Sequence, residues 1–100
     1  MIKHIVLWKL KDYVQGKTKQ ENAYLIKTLL EDLNNRIPGL LKLEVGIDFS
    51  NTENSADVVL YSEFESKADL ENYQTHPEHE KVKPFVAQCR LERRVIDFEI

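Results

Sequence analysis

The chain has 100 residues, 42% hydrophobic and 31% charged, with 14 Lys and Arg against 17 Asp and Glu for a net charge of −3. That describes one domain of ordinary soluble composition, and three Gly with three Pro exclude a low-complexity chain. Cys89 is alone, so no intrachain disulfide can form, and the longest clean apolar run, Ile5 to Trp8, is too short for a membrane-spanning helix or a secretory leader; a cytoplasmic protein is expected.

Residues 2–11 alternate. Ile2, His4, Val6, Trp8 and Leu10 share one face, and Lys3, Ile5, Leu7, Lys9 and Lys11 the other. This is a strand that is apolar on both faces at its centre, unlike a strand with one solvated side. Asp12 to Gly16 reads as a loop. Ala23, Ile26, Leu29, Leu30, Leu33 and Ile37 then recur at helical spacing, which predicts a helix over 18–36 that Pro38-Gly39 ends.

Residues 40–49 read as a second strand with Leu41, Leu43, Val45, Ile47 and Phe49 on one face and Gly46 marking a bulge or a close approach. A polar turn over 50–56 joins it to a third strand over 57–65. Ser66-Lys-Ala-Asp69 is a helix-start pattern, placing Leu70 and Tyr73 on one face of a short helix. Thr75-His76-Pro77-Glu78 is a second start, with Pro at the first helical position. It predicts a helix over 77–88 with Val82, Phe85 and Val86 inward. Residues 89–100 form the last strand.

The order β-α-β-β-α-β predicts an α+β, ferredoxin-like sandwich: a four-stranded antiparallel sheet with helices on one face. Helices cover one face only. The other, to which Val6 and Trp8 are assigned, then needs a different cover, and face-to-face association of two sheets in a homodimer is the simplest.

The sequence is similar to the stress-responsive dimeric α+β barrel domain family (Dabb) over nearly its whole length, residues 1–100. The segments that carry the resemblance are Lys3-His-Ile-Val-Leu-Trp-Lys-Leu-Lys11, Ile37-Pro-Gly-Leu-Leu-Lys-Leu-Glu-Val-Gly46, Asp57-Val-Val-Leu-Tyr-Ser-Glu-Phe-Glu65, Tyr73-Gln-Thr-His-Pro-Glu-His79 and Val95-Ile-Asp-Phe98. The resemblance implies two ferredoxin-like subunits whose sheets close into a barrel, with a cavity in each half. One plant branch of the family consists of polyketide cyclases, which close a linear polyketide by aldol condensation without metal or cofactor. Their paired His and Tyr carry over to His79 and Tyr73, and their first-strand His to His4. A further cavity His of the cyclases falls on Val58, a departure from the pattern, so the cyclase substrate is not carried over.

His79 and Tyr73 are therefore the candidate catalytic pair. His79 is expected in the first turn of a helix, whose positive end disfavours imidazolium, and a neutral imidazole beside a phenol can act as a general base next to a carbonyl. Packing roles for both side chains are the competing reading. His4, Trp8 and Tyr61 are the candidate ligand-binding residues. His76 reads as a helix cap. Two His without a third ligand give no metal site, and no cofactor is expected. Cys89 reads as a buried thiol. Arg90, Arg93 and Arg94 read as surface ion pairs with Glu92, an anion-binding role being the minor alternative. An acidic chain with no other basic cluster is not expected to bind nucleic acid, and the third strand lacks the basic-Gly-aromatic pattern of an RNA-recognition module.

The functional expectation is a homodimer that holds a small, largely apolar organic molecule, with cofactor-free acid/base chemistry of the cyclase kind. Its rivals are a non-enzymatic stress-response or assembly protein with a filled barrel, and a cofactor-free monooxygenase or haem-degrading enzyme on the same architecture.

Overall fold

Nine residues of alternating pattern, Ile2–Leu10, form the central strand β1 of a computed structural model that describes residues 1–100. Two two-residue strands follow, β2 (Tyr13–Val14) and β3 (Lys17–Thr18), paired as a tight hairpin where the sequence suggested a plain loop. Gln15 and Gly16 turn it with φ of 54° and 76°, the left-handed pair that such a two-residue turn requires.

Helix α1 (Lys19–Glu31) starts with a capping box. Thr18 Oγ1 accepts from the Glu21 amide, and Glu21 accepts from the Thr18 amide. The helix is shorter than its apolar stripe. The chain turns after Glu31, yet Leu33 and Ile37 still reach the core from those turns, while Leu29 is largely outside it. Gly39, at φ 81°, then leads into β4 (Leu40–Ile47), and β5 (Val58–Phe64) returns beside it.

The bulge is not at Gly46, which pairs regularly with Val59 and marks instead a close approach, an added Cβ there meeting Val59 Cγ1 at 3.0 Å. The bulge lies at Leu41, between the Leu40–Phe64 and Lys42–Glu63 pairs. The extra residue puts Leu41 out of the apolar set, so only Leu43 and Val45 are fully buried, and Phe49 lies beyond the strand, almost wholly exposed.

The second helical region is three pieces rather than two: α2 (Lys67–Thr75), α3 (Pro77–Glu80) and α4 (Lys83–Cys89). Ser66 caps α2 through Oγ and the Asp69 amide, and His76 caps α3 by accepting from the Glu78 amide at Nδ1, 3.1 Å. Pro84 explains the break before α4. It has no amide to donate and is tolerated only in a first helical turn, so the helix restarts around it. Val82 and Val86 point into the core, with Phe85 packed at its edge.

Strand β6 (Arg90–Glu99) closes the sheet, in the order β4-β5-β1-β6, all neighbours antiparallel. The fold is the expected ferredoxin-like one. No helix is long and apolar enough to cross a membrane.

One expectation is reversed. The Ile2, His4, Val6, Trp8 and Leu10 face is the one the helices cover, and all five residues are buried. The face without helices carries Lys3, Ile5, Leu7 and Lys9 of β1, Val59 and Tyr61 of β5, and Ile96 and Phe98 of β6. Alternation sorts residues into two sets without saying which set meets the helices. Helix packing decides that, and it chose the set that α1, with Ala23, Ile26 and Leu30, could cover.

Candidate functional site

The sheet and its helices do not close completely. A cavity of about 380 Å³ lies between β1, β6 and the α2–α4 segment, large enough for a small organic molecule. His4, Val6 and Trp8 form its sheet side with Leu60, while Tyr73, His79, Val82 and Val86 form its helix side. It therefore belongs to one protomer, on the helix-covered face, and not to the uncovered face where the sequence reading put it.

Tyr73 is in the last turn of α2 and His79 in α3, joined by extended His76 ahead of Pro77. That bend folds the two short helices together. The His79 ring stacks on the Tyr73 ring with centroids 4.1 Å apart and planes 16° from parallel. His79 Nδ1 lies 3.0 Å from the Tyr73 carbonyl oxygen, which can only accept, so Nδ1–H donates and Nε2 carries the ring's lone pair. Burial, the largest cause, lowers the His79 pKa to about 4, with the Lys83 charge acting in the same direction and the hydrogen bond opposing it. The ring is thus neutral at pH 7. Neutrality was expected, but desolvation supplies it rather than the end of a helix only four residues long.

The Tyr73 side chain is fully buried, and its hydroxyl has no hydrogen-bond partner. Burial holds its pKa well above the usual phenol range, so it is a protonated donor at neutral pH. The Tyr73 ring also packs edge-on to His4, 6.2 Å between centroids, and against Phe64 at 5.0 Å. His4 is buried and finds the partner its apolar surroundings demand: Nδ1 is 2.5 Å from Asp97 Oδ1, across the β1–β6 register. Trp8 lies two places along the same face, and its indole N–H is buried without a partner. An unpaired buried donor costs about 1–3 kcal/mol, and two of the residues lining the cavity, Trp8 and Tyr73, each carry one.

Tyr61 does not belong to this group. It pairs with Ile5, on the helix-free face, where its hydroxyl accepts from Lys3 Nζ and donates to Glu63 Oε2, both at 2.5 Å. One residue of strand parity separates it from the cavity, whereas Ser62 and Leu60 lie on the cavity side. His76 is a cap, as expected. Cys89 is buried, and desolvation raises its thiol pKa, leaving an inert thiol.

Lys83, Arg90 and Arg93 also line the cavity, a group the sequence reading did not place there. Neither arginine forms the surface ion pairs expected with Glu92. The available signal was parity in β6: Arg93, Val95 and Asp97 share a face, opposite Trp8, Val6 and His4.

The Stress responsive A/B Barrel Domain (Dabb) matches residues 2–100. The chain belongs to the Dabb family. No curated relative matches it. Among solved structures, a dimeric ferredoxin-like protein of unknown function from Bacteroides fragilis is 35% identical, covering 99% of this chain and 95% of its own, with a TM-score of 0.86. A dimeric ferredoxin-like protein of unknown function from Thermobifida fusca is 23% identical, covering 99% and 90%, with a TM-score of 0.84. The hydroxynitrile lyase of Passiflora edulis shares the fold at 22% identity, covering 99% and 92%, with a TM-score of 0.79.

Proposed function

We propose that this Dabb protein is a cytoplasmic homodimer that binds a small, largely apolar carbonyl compound in each protomer's cavity and transfers a proton on it without a cofactor. One observation carries the reading: His79, Tyr73 and His4 converge on a single cavity in which the Tyr73 hydroxyl is buried and unpaired. His79 Nε2 takes a proton from the carbon next to the carbonyl. The Tyr73 hydroxyl donates to the carbonyl oxygen, where negative charge develops as the C–H bond breaks. The proton then sits on His79 and returns to the product. The depressed basicity of His79 makes it a weak base, so the Tyr73 donor must carry much of the stabilisation.

The cavity, lined by His79, Tyr73 and His4, favours a ligand-binding reading over a purely assembly role, because such a role needs no cavity between the helices and the sheet. The fold also serves an enzyme in the Passiflora edulis lyase. The homodimer rests on the helix-free face, where Ile5, Leu7, Ile96 and Phe98 are all partly or largely exposed, and on the dimeric neighbours from Bacteroides fragilis and Thermobifida fusca.

A thermal-shift screen of aromatic and polyketide-like carbonyl compounds tests the proposal, comparing the native protein with His79→Ala and Tyr73→Phe. A compound that raises the native Tm and loses that effect in both variants supports it. A stabilising compound equally effective on all three proteins places its binding elsewhere and overturns it.

A further inference from the structure

The charged side chains around the cavity are of one sign. Lys83 at the start of α4, Arg90 where α4 meets β6, and Arg93 on β6 line it, and no Asp or Glu does. They are not equally free. Lys83 Nζ donates to the Gln74 carbonyl and to Glu80 Oε1, so its charge is answered locally. Arg90 and Arg93 are exposed and take part in no ion pair. Asp97, the acid on the same face of β6, is occupied by His4.

Arg93 stands opposite Trp8 in the β1–β6 register, so the free guanidinium and the orphaned indole N–H belong to neighbouring positions on one face. The Tyr73 hydroxyl is the other orphan. The Arg93 charge acts on that hydroxyl, pulling its pKa down against the larger effect of burial, which places the cation within electrostatic reach of the cavity floor. Donors and positive charge thus gather here without an acidic partner from the chain. Water satisfies the exposed guanidiniums, but the two buried donors have nothing to donate to.

We propose that the cavity selects an organic carboxylate, held at its mouth by Arg93 with Arg90 beside it, while the apolar body lies against Val6, Leu30, Val82 and Val86. This rests on the reading of the cavity as a ligand site and names the class of ligand. The arginine fork matches a carboxylate in plane and in charge. The buried donors of Trp8 and Tyr73 serve the ligand's neutral oxygens further in. A neutral molecule of the same shape fills the same space without answering the arginines.

Trp8 is the only tryptophan, so its fluorescence reports the cavity directly. Phenylacetate and its neutral counterpart phenylacetamide are titrated against the native protein, Arg93→Gln and Arg93→Lys. Far-UV circular dichroism confirms that the variants fold, as expected for an exposed side chain. The acid is expected to bind at least about tenfold more tightly than the amide at low ionic strength, since a charge-assisted hydrogen bond is worth that much. The preference should shrink with added salt, vanish in Arg93→Gln and survive in part in Arg93→Lys, with the amide unaffected throughout. Equal affinity for acid and amide overturns the carboxylate proposal and leaves the ligand cavity standing. An acid preference that persists in Arg93→Gln also overturns it. No response of Trp8 to either probe at millimolar concentration overturns both the proposal and the ligand reading beneath it.

Discussion

The imidazole of His79 lies face to face with the phenol of Tyr73, 4.1 Å between ring centroids, and donates Nδ1–H to that same residue's backbone carbonyl. The stack fixes the ring plane, and the hydrogen bond fixes the tautomer. Together they leave Nε2 as the basic atom of a ring stacked on the phenol whose hydroxyl has no partner.

The first prediction concerns pH. Burial lowers the His79 pKa from 6.5 to about 4, so the unfolded chain binds the proton more tightly than the folded one. The contribution of His79 to stability should therefore be complete above pH 6.5 and be lost as pH drops from 6.5 toward 4, levelling below that. After allowance for the part of the ring that water reaches, the loss is of order 2 kcal/mol. Urea midpoints at pH 7.5 and 5 measure it, and His79→Gln should flatten that part of the curve. The paired acids Glu31 and Glu63, whose pKa values are lowered, lose their contribution only at more acidic pH, so the comparison above pH 5 isolates the histidine.

Tyr73→Phe removes a hydroxyl that has no hydrogen-bond partner in the chain. The ligand-free variant should be as stable as the native protein or more so, by up to about 1–2 kcal/mol, because a desolvated donor is gone and the ring remains. Any turnover or ligand-induced Tm shift should be lost. Denaturant midpoints and activity on the same preparations separate the two effects. A large destabilisation would mean that the hydroxyl has a structural partner after all.

Gly39→Ala should be severely destabilising. Gly39 has φ 81°, and an added Cβ would come within 2.2 Å of the Asp69 side chain in the first turn of α2. Left-handed backbone and steric conflict add, for a cost of about 2 kcal/mol or more. Gly16→Ala, with φ 76° and open space around it, should cost less. Paired unfolding curves give the ranking.

Ile5 and Ile96 face each other across β1 and β6 on the side without helices. Ile96→Glu combined with Leu7→Glu should convert a dimer to a monomer, read by sedimentation equilibrium, with the circular dichroism spectrum retained. A native protein that sediments at 11.7 kDa would refute the dimer.

Several features were legible because their causes are local. Ser66 with Asp69 and His76 ahead of Pro77 are each solved within a few residues of chain, and the structure caps helices at both. Where a distant residue decides, local pattern is silent. The bulge at Leu41 depends on how β4 meets Phe64 and Glu63, and Tyr61 left the cavity because β5 pairs with β1 in a register that puts Ser62, not Tyr61, opposite His4.

By itself the sequence determined the order of the long elements, the two residue sets of β1 and β5 and the presence of His79 and Tyr73 within one helical bend, because periodicity and capping are short-range properties. The tertiary structure alone decided which set faces the helices. That single choice buried His4 and Trp8 beside Tyr73, turned Tyr61 away and carried Arg93 to the cavity mouth. A period of two defines faces but gives neither of them a direction; packing against a layer of helices does.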